Sequence, residues 1–209
     1  PDPSILFVGD IMLDRSVAKH AMASSTDVLF AGVLDLFKSA DARVANLEGS
    51  ITTTPSIAQR DNTILHFTFD PALAEAALAP LALSAVSLAN NHAYDFYRAG
   101  YEATQGYLQA WGIKPFGHPY NALLLSTIIE VRSKQFCLVG YHSLYDASTA
   151  EVVQEIIRLR SDCYRIIVVP HWGDEYEMVA NAAQSAAAHE FVDAGADRRL
   201  RIDPYVGND

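Results

Sequence analysis

Ala85-Val-Ser-Leu-Ala-Asn-Asn-His-Ala-Tyr-Asp95 begins as an apolar run of strand length and closes on two amides, an imidazole and a carboxylate. A buried strand that delivers polar groups at its C-terminal end is how open α/β sheets present ligand-binding side chains. A strand-to-helix turn accounts for the same residues, because Asn and Asp favour turns and helix caps. The neighbouring sequence decides between the two readings, since the pattern recurs. Ser4-Ile-Leu-Phe-Val8 ends on Gly9-Asp10, Ala42-Arg-Val-Ala-Asn46 on Leu47-Glu48-Gly49, and Tyr164 to Val169 on Pro170-His171-Trp172-Gly173.

Between these runs lie helical patterns. Asp27 to Ser39 carries Val28, Phe30, Val33, Leu34 and Phe37, mostly on one helical face, after a loop through Arg15. Asp70-Pro71 supplies an N-cap and a first-turn proline for a helix running towards Leu81. Further helices are predicted over Tyr97 to Trp111, Thr149 to Arg160 and Asn181 to Ala194, the last stopped by Gly195. Leu123 to Val131 and Gln135 to Tyr141 flank a turn and read as a hairpin. Ser50 to His66, rich in Thr and Ser, reads as a long loop of the kind that often belongs to a site. Strands alternating with helices predict an α/β fold: a mostly parallel sheet flanked by helices, with one antiparallel pair. There is no internal repeat or linker, so residues 1–209 read as one domain.

The composition narrows the function. Twenty-five acidic against fifteen basic residues give a formal net charge of −10, which argues against duplex nucleic acid as a partner. An anionic substrate would need bound cations or a local cluster of Arg and Lys. No apolar run is long enough to span a bilayer. The numbering opens on Pro1, consistent with a processed or trimmed chain. Cys137 and Cys163 both fall within predicted strands, and two buried free thiols are expected rather than a disulfide.

If the four strand ends belong to one parallel set, Asp10, Glu48, Asn91, His92 and His171 converge on one edge. Carboxylate, amide and imidazole form a donor set suited to Mn, Fe, Zn or Mg, and such sets build two-metal hydrolytic sites. His20, His66, His118, His142 and His189 have no comparable context and read as surface or structural.

Four motifs in order, Gly9-Asp-Ile-Met-Leu-Asp-Arg15, Ala45-Asn-Leu-Glu-Gly49, Ser87-Leu-Ala-Asn-Asn-His92 with Asp95, and His171-Trp-Gly-Asp-Glu-Tyr176, resemble the CapA family of poly-γ-glutamate capsule biosynthesis proteins. Gln184 and Asp193-Ala-Gly-Ala-Asp197 extend the resemblance over nearly the whole chain. The resemblance implies a layered sandwich like that of the calcineurin-like metallophosphoesterases. It makes Asp10 a ligand of one divalent metal, Glu48 a bridging carboxylate, and Asn91 and His171 ligands of a second metal. It makes His92 the general acid or transition-state donor beside the metals, with Asp95 able to orient it. Arg15 would hold an anionic group of the substrate, or else is a solvated loop arginine.

The match fails near the end, where the family carries Gly-His-His-Pro-His-Val. Here Asp203 and Tyr205 stand at the histidine positions, with Asp203 still able to ligate a metal, and Arg198, Arg199 and Arg201 replace an apolar strand. The C-terminal part of the fold is therefore expected to be incomplete. The implied function is metal-dependent hydrolysis of poly-γ-glutamate or a related anionic polymer, at the cell envelope or outside it, with poly-γ-glutamate synthase components as candidate partners. The alternative is a non-catalytic accessory protein that binds the polymer or the synthase. Phosphoester hydrolysis, by analogy of fold alone, is a third and weaker reading.

Overall fold

The structure is a computed structural model, and it describes residues 2–61, 63–145, 148–174 and 176–197. Asp203, Tyr205 and the three arginines at 198, 199 and 201 lie outside the described residues, as does the expected incompleteness of the C-terminal part.

In chain order the elements are β1 (Ile5–Ile11), α1 (Arg15–Ala23), α2 (Leu34–Lys38), β2 (Ala42–Leu47), β3 (Ser50–Ile51), β4 (Thr68–Phe69), α3 (Pro71–Leu78), β5 (Ala85–Ser87), α4 (Tyr97–Ala110), β6 (Lys114–Phe116), β7 (Ser126–Val131), β8 (Lys134–His142), α5 (Ala150–Leu159), β9 (Arg165–His171) and α6 (Ala182–Ala194). Strands β1, β2, β5 and β6 form one sheet in the order β1-β2-β5-β6, every pair parallel. A second sheet has the order β7-β8-β9, with β7 antiparallel and β9 parallel to β8. β3 and β4 make a small separate parallel pair.

Alternation along each strand sends successive side chains to opposite faces, and this builds three apolar layers. Val44, Ala85, Phe116, Ile129, Phe136, Leu138 and Ile167 interleave between the two sheets. Ala45, Leu47 and Val86 face the other way, against Leu78, Leu108 and the long loop's Ala58 and Phe67. On the outer face of the second sheet, Val139, Tyr141 and Ile166 meet Val152 and Ile156 of α5 and Phe191 of α6. The result is a sandwich of two sheets with helices on both outer faces.

Three expectations need correction. His171 belongs to the second sheet, so the four strand ends are not one parallel set; they meet because the two sheets stack with their C-terminal edges together. Cys137 and Cys163 form a disulfide, with Cα atoms 5.8 Å apart, that ties β8 to the residues leading into β9. The two sulfurs meet because Cys137 projects towards the outer layer, where the chain entering β9 passes. The continuous helix over 27–39 is a turn of 3-10 helix (Thr26–Val28) followed by the short α2, with Val28 and Val33 exposed. Conversely, α1 begins at Arg15 where a loop was expected, capped by Asp14, and β6 was not anticipated.

Gly140 and Gly117 bring the sheets close beneath the polar ends. A Cβ on Gly140 would lie 2.7 Å from the Cα of Gly117 and 2.9 Å from the Cβ of Ala89. Ala89 immediately precedes Asn90-Asn91-His92, so this close packing between the sheets lies next to that stretch.

Candidate functional site

Asp10 lies inside β1 at a register irregularity between Phe7 and Asp10, and its carboxylate is half exposed. Asn46 on β2 donates through Nδ2 to Asp10 Oδ1 at 2.7 Å and approaches His171 Nδ1 at 3.3 Å. Its own Oδ1 accepts from Asn90 Nδ2 at 2.9 Å. Asn90 is fully buried, bonds to the carbonyl of Leu47, and accepts the backbone N–H of His92 at 3.0 Å. Asn46 and Asn90 lie within the quoted motifs without being candidate ligands, yet they bind β1, β2, β5 and β9 together at one point. Strand alternation could have found Asn46, since residues two apart share a face and Glu48 is a candidate in its own right.

The other predicted residues complete the cluster. Asn91 Oδ1 and His171 Nε2 are 2.9 Å apart, so with Nδ1 facing the Asn46 amide the His171 proton sits on Nε2. Tyr145 donates its hydroxyl to the carbonyl of Asn91 at 3.0 Å. His171 Nδ1 lies 3.8 Å from Asp10 Oδ1, and His92 Nε2 lies 3.8 Å from Glu48 Oε1. His92 Nδ1 meets Asp95 Oδ2 at 2.9 Å. The same carboxylate oxygen accepts the backbone N–H of Phe67 at 2.6 Å, and the Phe67 ring lies over His92 with centroids 4.3 Å apart. His92 is thus held from one side by a carboxylate and from the other by an aromatic face, with Nε2 turned to Glu48.

The electrostatics follow from this crowding. Burial and then the neighbouring Asp10 carboxylate push the Glu48 carboxyl up to about 7, with His92 opposing. Burial likewise holds the His171 imidazole below its usual range, against the pull of Asp10. Two carboxylates side by side among half-buried imidazoles, with no Lys or Arg ion-paired to either among the described residues, leave a surplus of negative charge that a cation would relieve. Oxygen and imidazole donors together suit Mn, Fe, Zn or Mg, so Asp10, Glu48, Asn91 and His171 fit such a group in chemistry. Among the described residues, however, no three His, Cys, Asp or Glu side chains gather closely enough to form a complete cation cage by themselves.

His142, which reads as surface or structural in the sequence, also reaches this cluster. It is paired with His171 across β8 and β9, so both project to the same side, with ring centroids 5.8 Å apart. It is wholly buried, its Nδ1 meets the carbonyl of Pro119 at 2.7 Å, and its Nε2 has no hydrogen-bond partner among the described residues. Burial brings its pKa down to about 4.

Arg15 stands apart from this cluster. It lines a cleft of about 340 Å³ with Ser16, Lys19, Ala58, Gln59 and Arg60. Asp203 lies outside the described residues.

The model of the family described as "Bacterial capsule synthesis protein PGA_cap" matches residues 4–198. Among curated proteins the chain is 26% identical over 220 residues to the PGA biosynthesis protein CapA of Bacillus subtilis (strain 168), and 23% identical over 224 residues to the capsule biosynthesis protein CapA of Bacillus anthracis. Each match takes in 97% of this chain, but the chain spans only 57% and 54% of those two proteins. Among solved structures, a hypothetical protein from Thermus thermophilus superposes with a TM-score of 0.54 at 15% identity, covering 92% of this chain and 64% of that one. A structure described as a novel phosphatase from Mycoplasma pneumoniae gives a TM-score of 0.52 at 13% identity, covering 92% and 61%. These two likenesses show the fold: a mixed α/β sandwich with parallel strands flanked by helices.

Proposed function

The chain belongs to the family of bacterial capsule synthesis proteins described as PGA_cap, and from that membership and the geometry of the cluster we propose that it is a metal-dependent hydrolase of poly-γ-glutamate or a related anionic polymer. The observation that carries the reading is the meeting of Asp10, Glu48, Asn91 and His171 from two sheets beside an oriented His92–Asp95 pair. Asp10, Glu48, Asn91 and His171 would hold the divalent cation or cations. When bound, such a cation supplies Lewis acidity towards a carbonyl and positive potential that a chain of net charge −10 lacks.

The remaining work falls to the protein's own side chains. Asp95 fixes His92 by its Nδ1, which leaves Nε2 as the atom that gives a proton to the departing nitrogen of an amide or the oxygen of an ester. Phe67 covers one face of the ring and limits water there. Asn46 holds Asp10 and His171 in register with each other. The Cys137–Cys163 disulfide supports an oxidising location, in keeping with the envelope or exterior.

Metal analysis of the purified chain tests the reading, with Asp10→Ala and His171→Ala alongside and polymer cleavage by His92→Ala measured in parallel. Bound metal lost in the first two variants and turnover lost in the third are expected; no metal above background in the parent protein sinks the proposal. The second reading is a non-catalytic accessory protein that binds polymer or synthase components. It is favoured by Asp203 and Tyr205 at the family's histidine positions and by the incomplete cage among the described residues. Polymer binding that survives both chelator and His92→Ala, without turnover in the parent, would select it.

A further inference from the structure

We propose that the cleft at the start of α1 is a binding site for consecutive carboxylates of an extended polyanion, in which Arg15, Lys19 and Arg60 form a cationic track leading to the Asp10–His171 cluster. The inference rests on the polymer substrate proposed above and adds the place where that polymer is gripped. Three of the cleft's six lining residues are cationic, on a chain whose overall charge is −10. Elsewhere on the surface Lys38, Arg98, Arg132, Arg158 and Arg165 are each paired with a carboxylate. Among the described residues, Arg15, Lys19 and Arg60 have no such partner. Three unneutralised cations in one concavity of an acidic protein attract anions locally, though the molecule as a whole repels them. Ser16 and Gln59 add uncharged hydrogen-bonding groups to the same walls.

The walls are fixed to each other. Asp14 is wholly buried and accepts four hydrogen bonds: from the backbone N–H of Arg15 (2.7 Å), Ser56 Oγ (2.8 Å), Gln59 Nε2 (2.9 Å) and the backbone N–H of Thr68 (3.0 Å). Those four donors hold the carboxyl group in place, and it joins α1 to the loop that carries Arg60. Arg15 adopts φ +54°, a left-handed conformation that costs a non-glycine residue energy and that Asp14 holds in place.

The same loop runs on to Phe67, which lies on His92 and bonds Asp95. Asp10 and Arg15 are five residues apart, so their Cα atoms are within about 18 Å of each other. A polymer held by the three cations would therefore need only a few residues to reach the cluster.

The test is fluorescence polarisation of dye-labelled oligo-γ-glutamate with the parent and a Lys19→Glu/Arg60→Glu variant, whose two side chains are exposed. A Lys38→Glu/Arg98→Glu variant carries the same change in charge away from the cleft. Thermal melts check that each variant folds, and metal content and turnover are recorded for all of them. Binding should weaken by about thirtyfold in the cleft variant and by less than about threefold in the control, and fall with added salt. An unchanged cleft variant, an equal loss in the control, or tighter binding of inorganic polyphosphate than of oligo-γ-glutamate overturns the inference. If the parent holds no metal and cleaves nothing but still grips the oligomer through the cleft, the hydrolase reading falls and the cleft stands. If metal and turnover are present but the cleft variant binds normally, the cleft alone falls.

Discussion

Glu48 carries an unfavourable charge in the cluster. Its carboxyl stands at about 7 against an ordinary 4.5, so between those values the folded protein holds a proton that the unfolded chain has released. Without metal, stability is therefore lost as pH rises from about 4.5 to 7, by up to about 3 kcal/mol. Glu48→Gln removes that loss: in chelator, urea melts at pH 8 should show the variant more stable than the parent by about 1–3 kcal/mol, while its metal affinity falls at least about tenfold. Equal stabilities at pH 8 would mean the carboxylates do not crowd each other. His142 acts in the opposite sense. Its imidazole is held at about 4 against 6.5, so its contribution is whole above about 6.5 and lost as pH falls towards 4. His142→Leu should lose less stability than the parent between pH 7 and 4, read by the same melts; a parallel acid limb would rule this out. Asn46 and Asn90 organise these groups, and although both lie in the quoted motifs their roles were not legible there, because an asparagine near the end of a strand looks the same whether it caps a turn or bonds its neighbours.

Among the elements, those with an uninterrupted pattern were legible: β1, β2, α3, α4, the β7–β8 hairpin, α5, β9 and α6 fall within a few residues of their expected places. The segment over 27–39 misled because its apolar residues keep helical spacing, yet only Phe37 is buried in the core. α1 was hidden because its cap, Asp14, precedes a residue with positive φ and a run of mixed polarity. The partition of strands between two sheets was also hidden, since alternation shows which residues share a face and not which sheet a strand joins. Gly140 is the position where that partition becomes sharpest. Gly140→Ala would place a methyl 2.7 Å from Gly117 and 2.9 Å from Ala89, so backbone must move. The variant should lose about 1–3 kcal/mol in urea melts, and its metal affinity should fall because Asn90 and Asn91 follow Ala89 directly. Unchanged stability would show that the sheets are looser there than their contacts indicate. The disulfide is tested at the same scale: thiol titration of the unreduced, denatured chain should find none of the two thiols free, and Cys163→Ala should cost about 3–4 kcal/mol for closing a loop of 26 residues.

For the whole molecule the decisive feature is that the proposed cation donors straddle two sheets. Asp10, Glu48 and Asn91 come from the β1-β2-β5-β6 side and His171 from β9, while elsewhere the sheets are joined by the apolar layer around Phe116, Leu138 and Ile167 and, at the opposite edge, by the Arg132–Asp41 ion pair. A cation held by both sides would thus act as a clamp on the sandwich as well as a Lewis acid. Ligand that binds only the folded state stabilises by about 2.7 kcal/mol at one hundred times its dissociation constant, and the gain should vanish when either side of the clamp is removed. Titrating Mn²⁺ or Zn²⁺ into the chelator-treated protein should therefore raise the melting temperature of the parent. It should raise that of neither Asp10→Ala nor His171→Ala, although these residues belong to different sheets. A rise that persists in His171→Ala would place the cation on the first sheet alone and leave β9 outside the site. The proposed cationic cleft makes a separate demand on the same measurement: Lys19→Glu/Arg60→Glu should show the full metal-induced rise, because the proposals assign polymer grip and cation binding to different side chains.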